Sequence, residues 1–100
     1  MEDMLTITEI AKKLNPIFMT NDIKKAILFG SYAKNNATIE SDVDLVVDTE
    51  ITGFKFISLV NEMREVLNKD VDLIPKRCIV VGSPIEYEIN SGGVVIYEKS

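Results

Sequence analysis

One hundred residues, 46% hydrophobic and 27% charged, read as a single soluble globular domain over residues 1–100, with a modest core and no second unit. The net charge of −5 speaks against a general nucleic-acid binder, and the absence of histidine removes imidazole acid–base chemistry, Ser-His-Asp triads and nearly all zinc sites. Cys78 stands alone, no apolar run reaches ~18 residues and the N-terminus is acidic, so the chain reads as cytoplasmic, without a disulfide, signal peptide or membrane span.

In chain order, Thr6 or Thr8 caps a helix whose stripe is Ile7, Ile10, Leu14 and Ile17. Pro16 removes a backbone bond to Lys12, so this helix either kinks or restarts with Asn15 as cap and Pro16 at its first position. Ile23 to Phe29 reads as a strand after the polar break Thr20-Asn21-Asp22. Gly30 to Lys34 is a strand-to-helix turn, followed by the loop Asn35 to Thr38. The second strand is Val43 to Val47, and Ile51-Thr52-Gly53 is a turn. Phe56, Leu59, Val60, Met63, Val66 and Leu67 then form the clearest helical stripe, expected to pack on the back of a sheet.

Val71 to Ile74 is a third strand closed by Pro75. The tract Lys76 to Ser83 fits a strand or the start of a helix, and Cys78 within it reads as a small core filler. Pro84 to Ile89 suits a short helix stopped by Asn90-Ser91-Gly92-Gly93, Val94 to Tyr97 is a last strand, and Glu98-Lys99-Ser100 is a charged tail. The order predicts an α/β (α+β) fold, a mixed sheet of about four strands with helices mostly on one face.

The chemistry concentrates between Ala26 and Asp72. Side chains alternate faces along a strand, so Asp42 and Asp44 share a face with Cα atoms roughly 6.5 Å apart. A third carboxylate, Asp72, lies on the next strand; Asp70 is a second choice for that place. Three hard oxygen donors suit Mg²⁺ or Mn²⁺, and two such ions ~3.5–4 Å apart can clamp the attacking and leaving oxygens of a phosphoryl or nucleotidyl transfer. Gly30-Ser31 can cradle a phosphate with backbone N–H groups and a hydroxyl, and Lys34 adds a positive charge one turn later.

Taken singly, each feature is ordinary. A Gly-Ser after a strand is usually a turn, an Asp-x-Asp at a strand start is often a solvated cap, and Glu86 and Glu88 have no evident chemistry. The conjunction is what carries weight: strand, Gly-Ser, ten residues from Tyr32 to Ser41, Asp-x-Asp, helix, and a strand with a further Asp.

That conjunction resembles the minimal nucleotidyltransferases (MNT) of the DNA polymerase beta superfamily. The matching pieces are Leu28-Phe29-Gly30-Ser31-Tyr32-Ala33, Ser41-Asp42-Val43-Asp44-Leu45-Val46-Val47 and Val71-Asp72-Leu73, with Gly93 to Glu98 resembling the family's end. The resemblance implies a polymerase beta-like nucleotidyltransferase fold with ATP as donor. It implies triphosphate binding at Gly30 and Ser31, two Mg²⁺ ions held by Asp42, Asp44 and Asp72, and Asp72 as base for the incoming hydroxyl. Family members usually carry Arg-Gly where this chain has Lys34-Asn35, which keeps the charge and loses the bidentate fork.

Stand-alone chains of this size resemble the antitoxin half of a toxin–antitoxin pair whose partner is a HEPN ribonuclease. The resemblance implies AMP transfer from ATP to a tyrosine of that toxin. Two rivals stay open: a non-catalytic module that neutralises its partner by contact, and transfer to a small-molecule hydroxyl. A homo-oligomer also stays open.

Overall fold

The computed structural model describes residues 5–99, so Ser100 at the end of the charged tail lies outside it. In chain order the elements are α1 (Ile7–Thr20), β1 (Ile23–Phe29), α2 (Gly30–Ala33), β2 (Val43–Thr49), α3 (Gly53–Leu67), β3 (Val71–Pro75), a 3₁₀ turn (Lys76–Cys78), α4 (Pro84–Gly92) and β4 (Val94–Glu98).

Helix α1 starts in a capping box. Thr6 Oγ1 accepts from Glu9 N–H at 3.1 Å, and Glu9 Oε1 accepts from Thr6 N–H at 3.0 Å. The helix runs unbroken through Pro16. Lys12 and Pro16 both lie on its exposed face, so the carbonyl that Pro16 cannot satisfy is open to solvent. Asn21 Nδ2 caps the far end by donating to Ile17 O at 2.7 Å.

The four strands form one sheet in the order β3-β2-β1-β4. Strand β1 pairs antiparallel with β2 and β4, while β2 and β3 are parallel. A parallel pair needs a long crossover, and α3 supplies it. The sheet's back face carries Ala26, Leu28, Val43, Leu45, Val47, Val71 and Leu73, packed with Ile10, Leu14, Ile17 and Phe18 of α1 and Leu59, Met63 and Leu67 of α3. Phe18 also meets Tyr97 of β4, ring centroids 5.3 Å apart. The front face carries Asp44, Val46 and Asp48 of β2 beside Phe29, Ile27 and Lys25 of β1. Helix α4 crosses part of that face, and its Ile89 shares a groove of about 370 Å³ with Ile27 and Val46.

Three expectations need correction. Val66 is exposed, not core: α3 rests on the sheet along the narrow line Leu59-Met63-Leu67, with Phe56 and Val60 half-buried at its margin. The tract Lys76 to Ser83 is neither strand nor regular helix, but a single 3₁₀ turn followed by a loop. Cys78 is exposed and fills no core. The chain leaves the sheet at Pro75, and Arg77 ties the turn back by donating to Thr49 O at 2.8 Å and Ile51 O at 2.9 Å. No helix among the described residues is long and apolar enough to cross a membrane.

Candidate active site

Strand β1 delivers the chain to the front of the sheet and stops at Gly30, where the backbone turns with a φ of 76°. That left-handed conformation is open to glycine at little cost, and space forbids anything larger. A Cβ on Gly30 would collide with Asp44 Oδ2 and lie 3.2 Å from its Cγ. The turn therefore sits directly against the Asp44 carboxylate, with half-buried Ser31 next in the chain. Backbone bonds from Lys34 N–H to Gly30 O (3.1 Å) and from Asn36 N–H to Ser31 O (3.0 Å) fix its shape.

Asn35 takes a φ of 60°, a left-handed conformation that asparagine tolerates better than most residues. Asn35 thus occupies a left-handed position of the kind that glycine favours.

The carboxylates come from two neighbouring strands. The parallel register places Asp44 directly beside Asp72, adjacent chains being ~4.8 Å apart. Asp42 stands exposed just before β2, two residues from Asp44. Asp70 precedes β3, and its carbonyl accepts from Val43 N–H at 3.0 Å, so its backbone has a structural task at the mouth of the strand pair.

Asp44 carries the strongest electrostatic signature. Its pKa is raised from 3.8 to about 6, chiefly by burial, then by repulsion from Asp72, Asp42 and Glu88. A carboxylate held this way gains from a nearby cation. Among the described residues no three His, Cys, Asp or Glu side chains form a finished cation cage. Asp42, Asp44 and Asp72 instead offer an open set of hard oxygens, which suits Mg²⁺ because that ion keeps waters and substrate phosphates among its ligands. The donor chemistry and the Gly30 turn pressed onto Asp44 both fit such an ion.

Lys34 ends α2, but its ammonium is engaged: Nζ lies 3.1 Å from Oε1 of Glu88 on α4. Glu88 had no assigned chemistry from sequence. No local pattern marks it, because only the approach of α4 to α2 brings it to the site.

The chain matches the polymerase beta nucleotidyltransferase family over residues 12–100. It belongs to that family. As a nucleotidyltransferase it is 38% identical over 73 residues to a candidate protein adenylyltransferase of Methanocaldococcus jannaschii, covering 70% of this chain and 77% of that protein. It is 35% identical over 88 residues to the protein adenylyltransferase MntA of Thermococcus cleftensis, covering 79% of this chain and 86% of MntA.

Among solved structures, the nucleotidyltransferase fold superposes on a chain from a crystal structure of a toxin-antitoxin with AMP-PNP. The TM-score is 0.74 at 21% identity, covering 90% of this chain and 74% of that one. A second similar chain comes from the tri-AMPylated HEPN toxin of Shewanella oneidensis in complex with MNT antitoxin, with a TM-score of 0.69 at 19% identity, covering 94% and 74%. At these identities the structural likeness speaks for the fold.

Proposed function

We propose that this nucleotidyltransferase is a protein adenylyltransferase and antitoxin, which moves AMP from ATP to a tyrosine hydroxyl of a HEPN ribonuclease toxin with Mg²⁺. The observation that carries the reading is the in-register pair Asp44–Asp72 beneath the Gly30 turn, in a chain that shares 35% identity with a protein adenylyltransferase over 79% of its length. The structurally similar complexes with AMP-PNP and with an AMPylated HEPN toxin support the donor and the acceptor.

In this reading the N–H groups of the Gly30-Ser31 turn and the Ser31 hydroxyl hold the triphosphate, and Lys34 adds charge. Asp42, Asp44 and Asp72 hold the divalent ions, which when bound neutralise the triphosphate and the charge that develops during transfer. Asp72, exposed on β3, takes the proton of the acceptor hydroxyl. The acceptor oxygen forms a bond to the α-phosphorus, the bond to the bridging α–β oxygen breaks, and pyrophosphate leaves. No residue of the chain is covalently modified, so the protein's part is placement and charge.

The test is the intact mass of a purified HEPN toxin after incubation with this protein, ATP and Mg²⁺. One or more added AMP groups, absent with Asp42→Asn, are expected. A tight complex whose toxin mass never changes would refute catalysis and leave neutralisation by contact.

A further inference from the structure

The Lys34–Glu88 pair is out of place for a site that must receive a polyanion. Lys34 is the cation closest in sequence to the Gly30-Ser31 turn, yet its Nζ already has a carboxylate at 3.1 Å. Glu88 is no loose surface side chain that happens to drift past, since its side chain is 33% exposed against 52% for Lys34. It comes from a different element, α4, whose position is fixed independently. Ser83 Oγ caps the start of α4 by accepting from Glu86 N–H at 3.2 Å, and at the far end Gly93 lies so close to Ile27 that a Cβ there would stand 2.8 Å from Ile27 Cγ2.

The negative charge of Glu88 is also among those that raise the pKa of Asp44, so it lies within electrostatic reach of the acidic cluster. Glu88 therefore acts on both the turn's cation and the cluster's partly buried carboxylate. An arriving triphosphate brings several negative charges to that same space.

Building on the nucleotidyltransferase reading, we infer that Glu88 is a positioning residue that latches Lys34 in the nucleotide-free protein and competes with the triphosphate for it. Binding is then an exchange of anions on Lys34: phosphate oxygen replaces Glu88 Oε1, and the Glu88 carboxylate turns to solvent from its half-exposed place on α4. The latch keeps Lys34 close to the turn and prevents it from collapsing onto Asp42, Asp44 or Asp72. It also makes opening depend on the charge of the ligand, so that an anion with several phosphates opens it more readily than one with a single phosphate.

The test is a double-mutant cycle on the affinity for AMP-PNP in saturating Mg²⁺, measured by calorimetry on the full chain. The variants are Glu88→Gln, Lys34→Gln and the pair together. A partly exposed ion pair of this kind is worth about two- to five-fold in an equilibrium, so Glu88→Gln is expected to tighten binding by about that factor. Lys34→Gln should weaken binding, and in its background Glu88→Gln should change affinity by less than about two-fold, the coupling having been removed. The KM for ATP in the transfer assay should fall with Glu88→Gln, a change that a merely structural role would not produce.

Equal tightening in both backgrounds would overturn the inference, because Glu88 would then act on the phosphates directly and not through Lys34. Weaker binding by Glu88→Gln would overturn it too, since Glu88 would then be helping to hold the nucleotide. Failure of the unaltered protein to bind AMP-PNP would sink the adenylyltransferase reading itself, and the inference with it.

Discussion

Replacing Asp44 by asparagine is expected to raise the stability of the protein while abolishing transfer. The folded state lifts the pKa of this carboxyl from 3.8 to about 6, first by burial and then by the charges of Asp72, Asp42 and Glu88. Below pH 3.8 both folded and unfolded chains hold the proton, and the group costs nothing. As pH rises from there to about 6, the unfolded chain releases its proton more readily, so folding loses stability through that window and the loss is complete above it.

At about 1.4 kcal/mol for each tenfold change in acidity, the full effect would be about 3 kcal/mol. Asp44 is only partly buried, and solvent screening reduces this to about 1 kcal/mol. For a domain of this size that corresponds to about 4–8 °C in Tm. The assay is thermal unfolding of the two proteins in metal-free buffer at pH 8 and at pH 3.5. Asp44→Asn should melt higher at pH 8, and the gap should close at pH 3.5. A variant less stable than the parent at pH 8, or a gain undiminished at pH 3.5, would refute the reasoning.

Mg²⁺ at ~100 times its dissociation constant should stabilise the unaltered protein by up to about 2.7 kcal/mol and leave Asp44→Asn almost unmoved, as followed by the same melts. Gly30→Ala forces a Cβ into Asp44 and a side chain into a left-handed backbone, so it should cost more than about 1 kcal/mol in urea unfolding and abolish transfer. Asp72→Asn should eliminate AMP addition to the toxin in the mass assay while the protein stays folded, whereas transfer retained at the parent's rate would deny Asp72 the role of base. Met63→Ala should cost about 2–5 kcal/mol in urea unfolding, whereas Val66→Ala should stay within about 0.5 kcal/mol.

Local signals were enough for the main frame. Strand β1 runs from Ile23 to Phe29 as its apolar run predicts, because Asn21-Asp22 and Gly30 punctuate both ends. Helix α4 begins at Pro84 as expected, since Ser83 and Pro84 together set a cap and a first turn. The misreadings share a cause: they depend on how far an element's neighbours reach. Val66 belongs to the helical stripe by spacing, but α3 touches the sheet over too narrow a line to cover it. Cys78 looks like core by composition, but the chain has already left the sheet. Asp42, Asp44 and Asp72 were visible as candidates. That Asp44 and Asp72 stand side by side depends on β2 and β3 being parallel neighbours in a particular register, which no local pattern encodes. Glu88 was invisible for the same reason, since its relation to Lys34 exists only across two elements distant in sequence.

The sheet divides its two tasks between its two faces. The back face holds the packed cluster of α1, α3 and the sheet, while the front holds carboxylates that repel one another around Asp44. Selection on such a molecule acts on two nearly independent ledgers. Without a bound divalent ion, screens for abundance would report the back face and be blind to, or even reward, loss of Asp44, while a screen for activity would preserve it. A lineage released from the need for AMP transfer would therefore drift quickly into well-folded, chemically silent descendants. Nothing in folding would stand in the way.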